Sequence, residues 1–290
     1  MKQISIISAK GGVGKTTIAA AFASLARDSI LVDCDAESTD LRLLLKAETK
    51  NLNKVHTIQR VRIEEDDCIR CGLCKALCHF DAVENNYGVY KIKEVHCQAC
   101  DLCLKACPVS AIEHIKTEQN QWSESDTAYG KLVFAQLALG EDLNGNLIAI
   151  LRDRAQELAE ENKSDIILID GPPAVGFAVA AAIARANVAV VVIEPAPSAI
   201  HDLHKSQQLA NRYEVPIVCL INKSDLNPEM TEKVKEYCIE NTISLIGEIP
   251  FSSHIIEDQL QGNLIDVQSG EDIVKEINLA WKRLLEVEIG

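Results

Sequence analysis

The stretch Ser8-Ala9-Lys10-Gly11-Gly12-Val13-Gly14-Lys15-Thr16-Thr17 constrains this chain more than any other. Gln3–Ile7 before it is a short apolar run that reads as a buried strand. Ile18–Ala26 after it is an alanine-rich run that reads as a helix. Glycines between such elements let backbone N–H groups converge with no Cβ in the way. The helix start adds its positive partial charge. The result is a phosphate cradle, with Gly11, Gly12, Val13, Gly14, Lys15, Thr16 and Thr17 around it. Lys15 is placed to reach the β- and γ-phosphate oxygens, and the Thr16 hydroxyl to sit on Mg²⁺. A plain glycine-rich turn would need neither lysine.

The usual phosphate loop has glycine at its first position, where this chain has Ala9, and it lacks the second lysine, Lys10. Lys-Gly-Gly-Val-Gly-Lys-Thr resembles the deviant Walker motif of the MinD, ParA and nitrogenase iron protein group of ATPases. The resemblance implies that Lys10 reaches across a dimer to the partner's nucleotide. It also implies ATP and ADP as ligands, and a homodimer or a heterodimer with a related ATPase.

Carboxylates recur at the ends of apolar runs. Ile30–Asp33 reads as a strand and ends in Val32-Asp33-Cys34-Asp35, where open α/β sheets bind ligands. By the resemblance this is switch I: Asp33 holds Mg²⁺ through water, Asp35 orients the attacking water, and Asp40 is a further candidate. Ser164–Asp170 runs into Gly171-Pro172-Pro173-Ala174-Val175-Gly176, which resembles switch II with Ala174 in place of a glycine. Asp170 fits the Mg²⁺-shell carboxylate, and Gly171 can offer its N–H to the γ-phosphate. Ile217–Ile221 ends in Asn222-Lys223-Ser224-Asp225, similar to a base-recognition loop. Asn222 would bond the purine, while the role of Asp225 stays open. Pro250, after Gly247-Glu248-Ile249, is an adenine-pocket candidate by the same resemblance.

Eight of the eleven cysteines lie between Cys68 and Cys107. Cys68, Cys71, Cys74 and Cys78 repeat as Cys97, Cys100, Cys103 and Cys107, and Asp81-Ala82-Val83-Glu84 repeats as Ser110-Ala111-Ile112-Glu113. The spacing matches bacterial ferredoxins with two [4Fe–4S] clusters, in which each cluster takes its fourth thiolate from the other repeat. Cluster one would use Cys68, Cys71, Cys74 and Cys107. Cluster two would use Cys97, Cys100, Cys103 and Cys78. Zinc is the rival, since Cys₄ sites also use Cys-x2-Cys pairs. Disulfides fit an intracellular ATPase less well. His79 follows Cys78 where the ferredoxin pattern has proline.

Strands alternating with helices predict a doubly wound, mostly parallel α/β sheet with a small inserted α+β ferredoxin-type domain. The division expected is 1–58 and 118–290 for the ATPase, with 59–117 inserted. Thr49–Thr57 and Lys116–Gly130 read as polar linkers. A formal net charge of −14 argues against unaided nucleic-acid binding. The strand that opens the chain leaves no signal peptide, so the expected location is cytoplasmic. No apolar run is long enough to span a membrane, and the closing helix Asp272–Val287 lacks the basic face of a membrane-surface helix. The reading is an ATP-hydrolysing iron–sulfur protein that passes electrons to a redox partner protein. Cluster carriage or assembly is an alternative, and a MinD-like positioning ATPase is another.

Overall fold

In β1 (Lys2–Ser8), Ile4 and Ile6 point to one face of a sheet and Ile7 to the other, the period-two alternation of a strand buried on both sides. A computed structural model describes residues 1–35, 40–55, 58–93, 96–116, 120–137, 145–173, 176–260, 264 and 272–287. The chain continues through α1 (Lys15–Ala26), β2 (Ser29–Asp33), α2 (Asp40–Leu44), β3 (Glu48–Val55) and β4 (Ile58–Ile63). Then come α3 (Leu73–Leu77), β5 (Val83–Asn86), β6 (Val89–Ile92), α4 (Leu102–Ala106), β7 (Ile112–Lys116), β8 (Asn120–Thr127) and β9 (Gly130–Gln136). Next are α5 (Gly145–Asn162), β10 (Ile166–Pro173), α6 (Phe177–Ile183), β11 (Val188–Ile193) and α7 (Ala199–Arg212). The chain closes with β12 (Ile217–Asn222), α8 (Pro228–Glu240), β13 (Ser244–Ile249), α9 (Ser253–Leu260) and α10 (Asp272–Glu286).

Nine strands form one sheet in the order β13-β12-β11-β1-β10-β2-β9-β8-β3. From β13 to β9 every pairing is parallel. Val188, Val190 and Val192 of β11 join the core beneath α1 and α10, and Ala189, Val191 and Ile193 join the core beneath α7 and α8. The helix α10 commits its apolar face to the fold. Trp281 packs on Phe22 of α1 with ring centroids 5.1 Å apart, and Ile277 and Leu284 are wholly buried. No helix among the described residues is long and apolar enough to cross a membrane.

The linkers are a correction. Most of Thr49–Thr57 is strand β3, which pairs antiparallel with β8, and β8 pairs antiparallel with β9. Lys116–Gly130 therefore holds a strand too, while residues 56–57 and 117–119 lie outside the described residues. The buried positions of β8 include Asn120, Ser123 and Ser125. Polar side chains toward the edge of the sheet conceal the apolar alternation that identifies a strand in sequence. The region between β3 and β8 thus rises from an antiparallel stem of the main sheet. It contains two small sheets, β4–β7 and β5–β6, both antiparallel.

Candidate nucleotide and cysteine sites

The loop between β1 and α1 has the backbone expected of a cradle. Gly12 and Gly14 have φ of 78° and 91°, the left-handed region where a side chain is strained. Space makes the same demand at Gly14, where a Cβ would fall 2.2 Å from the Asn222 amide nitrogen. That nitrogen donates to the Val13 carbonyl at 2.8 Å. Asn222 thus ties β12 to the loop, on the wall of a cleft that Gly12, Gly14, Thr17 and Pro250 also line. The cleft is open to solvent and holds about 190 Å³.

Beneath the cradle, β2 and β10 run side by side with Asp33 opposite Asp170. Lys15 Nζ lies 2.8 Å from Asp170 Oδ1 and 3.5 Å from Asp35 Oδ2. The Asp35 amide donates to Asp33 Oδ1 at 3.0 Å. Three carboxylates therefore share one ammonium. Burial, and then repulsion from Asp170, holds the Asp33 carboxyl well above the usual carboxylate range. Burial raises Asp170 as well, while Lys15 and the Thr16 hydroxyl pull it back. Burial disfavours the Lys15 ammonium, but Asp170, Asp35 and Asp33 together outweigh it and raise the lysine. Asp170 Oδ2 is buried with no hydrogen-bond partner. Surplus negative charge and an orphaned carboxylate oxygen beside Thr16 are what a divalent cation such as Mg²⁺ would satisfy. The side chain of Asp40, and Ala174 of the switch II stretch, lie outside the described residues.

Gly171 is required by close packing, since a Cβ there would lie 2.9 Å from the Ile6 carbonyl oxygen. Lys10 is held within its own chain, hydrogen-bonded to the Ser198 hydroxyl and 3.4 Å from Asp202. To reach a partner's nucleotide it must leave both. Asp225 acquires a role: its Oδ1 accepts the Phe251 N–H at 2.6 Å and so shapes the loop that carries Pro250. Sequence reasoning missed Lys223 and Glu194. The Lys223 ammonium donates to the Gly12 carbonyl at 3.0 Å and to Glu194 at 2.6 Å, bracing the cradle. Their positions at strand ends on the ligand edge of the sheet were the available signal. Ser198 and Asp202, on the turn of α7, carried none.

In the region between β4 and β7, Cys68, Cys71, Cys74 and Cys107 line one cavity, the first expected ligand set. Burial pushes the Cys103 thiol up to about 11, with further repulsion from Cys97 and Cys100, which places these three as neighbours. The Ala82 and Ala111 amides each donate to a cysteine sulfur, Cys78 and Cys107 respectively, at 3.3 Å. Such bonds favour thiolate ligands. Among the described residues no three His, Cys, Asp or Glu side chains converge as a single ion requires. A cubane spreads its thiolates over four separate irons, so four cysteines around a cavity are compatible with it. All eleven cysteines are free thiols. Cys219 and Cys238 are buried between β12 and α8 and offer no surface for a cluster shared between subunits.

Residues 4–265 match the CobQ/CobB/MinD/ParA nucleotide binding domain family. An uncharacterized protein of Methanocaldococcus jannaschii is 35% identical over 228 residues, 78% of this chain and 79% of that protein. The septum site-determining protein MinD of Synechocystis is 26% identical over 283 residues, 96% of this chain and 83% of that protein. Among solved structures, a chain of the MinC:MinD cell division protein complex of Aquifex aeolicus superposes with a TM-score of 0.59 at 18% identity, covering 100% of this chain and 98% of that one. MinD of Pyrococcus horikoshii with Mg-ADP gives 0.58 at 17% identity, covering 98% and 95%.

Proposed function

Because this chain belongs to the CobQ/CobB/MinD/ParA family of nucleotide-binding proteins, we propose that it is a Mg²⁺-dependent ATPase that works as a nucleotide-switched dimer. We propose further that its cysteine-rich insertion, residues 59–117, couples the switch to electron transfer through two [4Fe–4S] clusters. The observation that carries the ATPase reading is the set of Asp33, Asp35 and Asp170 around Lys15 beneath the cradle. Incoming phosphates compete for Lys15, and its transfer from Asp170 frees that carboxylate for the cation. Mg²⁺, when bound, neutralises phosphate charge. Lys15 holds the β- and γ-oxygens, Thr16 and Asp170 face the cation, and Asp35 is placed to orient water. Lys10, released from Ser198 and Asp202, adds positive charge to the partner's nucleotide. Asn222 and Pro250 flank the base.

The electron-transfer reading is carried by Cys68, Cys71, Cys74 and Cys107 around one cavity. Such clusters, when bound, supply one-electron transfer. A second reading, a MinD-like positioning ATPase with a protein partner, is favoured by the MinD relatives. One preparation separates the two. Oxygen-free protein is assayed for ATP hydrolysis with and without Mg²⁺, for dimer mass with ATP or ADP, and for iron. The expected outcome is Mg²⁺-dependent hydrolysis, an ATP-dependent dimer and about eight irons per chain. Hydrolysis without iron would leave the MinD-like reading alone.

A further inference from the structure

The two cysteine repeats share their spacing and part company just after their last cysteines. Both turns fold alike. Each returns an amide to its own cysteine sulfur at 3.3 Å, and Asp81 and Ser110 take the same left-handed backbone, with φ of 51° and 54°. The side chains differ. Cys107 is followed by Pro108 and Val109, and Val109 is exposed. Cys78 is followed by His79 and Phe80, and the Phe80 ring meets Phe177 edge-on, with centroids 6.4 Å apart and planes at 75°.

Phe177 belongs to the nucleotide-binding body. It is the first residue of α6, directly after Gly176, where the switch II stretch ends. It also packs against the start of α5, since a Cβ on Gly145 would lie 2.5 Å from the Phe177 ring. The far end of α6 packs beside β10 and is tied to β1. A Cβ on Gly171 would lie 3.7 Å from the Ala182 methyl, and Arg152 donates to the Ala181 carbonyl at 2.7 Å while holding Gln3 of β1. Phe80 therefore touches the helix that packs over the Asp170–Gly171 end of β10.

We propose that Phe80 is a positioning residue for ATP hydrolysis, through which the cysteine-rich insertion sets α6 and with it the end of β10. The inference rests on the ATPase reading above and is independent of which metal the cysteines hold. It also accounts for the difference one position further on: the turn that faces solvent carries Val109, and the turn that faces α6 carries the Phe80 ring.

The test is steady-state ATP hydrolysis by the oxygen-free full chain and its variants, with melting temperature and iron content as controls on folding. An edge-to-face pair is strong enough to change a rate about two- to twelve-fold. Phe80→Ala is expected to lower kcat by that factor with KM for ATP unchanged, and Phe80→Tyr, which keeps the ring, to restore it. Tyr87→Ala removes an exposed aromatic at the tip of the β5–β6 turn of the same insertion and is expected to leave kcat alone. If Phe80→Ala does not fold, Phe80→Leu keeps the bulk without the ring and must still lower kcat. Wild-type kcat in the folded alanine or leucine variant overturns the proposal, as does an equal loss in Tyr87→Ala. A wild-type chain without ATPase activity removes the underlying reading as well. An active wild type matched by Phe80→Ala removes this inference alone.

Discussion

In the nucleotide-binding body, β11 buries all six of its side chains, and α1, α5 and α10 each press a run of aliphatic residues onto the sheet. In the cysteine-rich region, α3 and α4 bury none. The buried apolar side chains among its described residues are Val61, Ala82, Val83, Ala99, Ala111 and Ile112. Three of the six are alanines. Burying a large aliphatic side chain contributes about 1.5–3 kcal/mol, and ordering each backbone residue costs about 1–2 kcal/mol. Half a dozen small side chains do not offset the ordering of such a region. The body is held by its core, whereas the insertion needs a staple, as small domains generally do. Its eight thiols are the groups able to supply one.

The hardest test of this contrast is removal of the proposed clusters. If the thiols hold iron, stripping it with an oxidant and chelator is expected to abolish hydrogen-exchange protection across β4, β5, β6 and β7. Protection in β1, β10 and β11 should remain. An insertion that keeps its protection without metal would mean that its small core suffices.

Lys15→Ala tests whether the body tolerates loss of its buried counter-ion. The variant should lose tight ATP binding. Leaving Asp170 and Asp33 uncompensated should also destabilise the body by about 3–5 kcal/mol, read as a lowered denaturant midpoint. Unchanged stability would mean that the carboxylates are protonated or solvated without the lysine.

Lys10 offers a sharper contrast within the same loop. Its side chain is 46% exposed, so its ion pair with Asp202 should contribute less than about 1 kcal/mol. Lys10→Ala should keep the melting temperature and most ATP binding, and should lose hydrolysis and the ATP-dependent dimer. A strictly monomeric Lys10→Ala protein with full activity would remove the role across the dimer.

The smallest effect is a pH slope. Asp33 and Asp170 are raised in the folded chain, chiefly by burial, so the native state retains protons that the unfolded chain releases. The stability that this pair contributes without Mg²⁺ should therefore fall as pH rises from about 4 through the raised values. Asp33→Asn should flatten that slope and gain about 1 kcal/mol near neutral pH, and Mg²⁺ should do the same for the wild type. Melts of the wild type and of Asp33→Asn in chelator from acid to neutral pH check the sign, and a stability difference between them that does not shift toward the variant as pH rises would contradict it.

The cradle, the parallel strands and the cysteine repeat were legible in the residues alone. In each the chemistry is local: glycines where φ is positive, aliphatic runs where both faces are buried, thiols at fixed spacing. The strands β3 and β8 were not legible, because polar residues toward the edge of the sheet carry no apolar pattern. Which distant groups meet was settled by the packing of the folded chain. It set Asp202 against Lys10, Lys223 against the Gly12 carbonyl, Asp225 beneath Phe251, and Phe80 on Phe177. Each of these pairs joins elements far apart in the chain, and a single sequence has no periodicity that reports a contact between two elements. That contact is fixed when the sheet and its helices pack, since close packing leaves each side chain few neighbours to choose from.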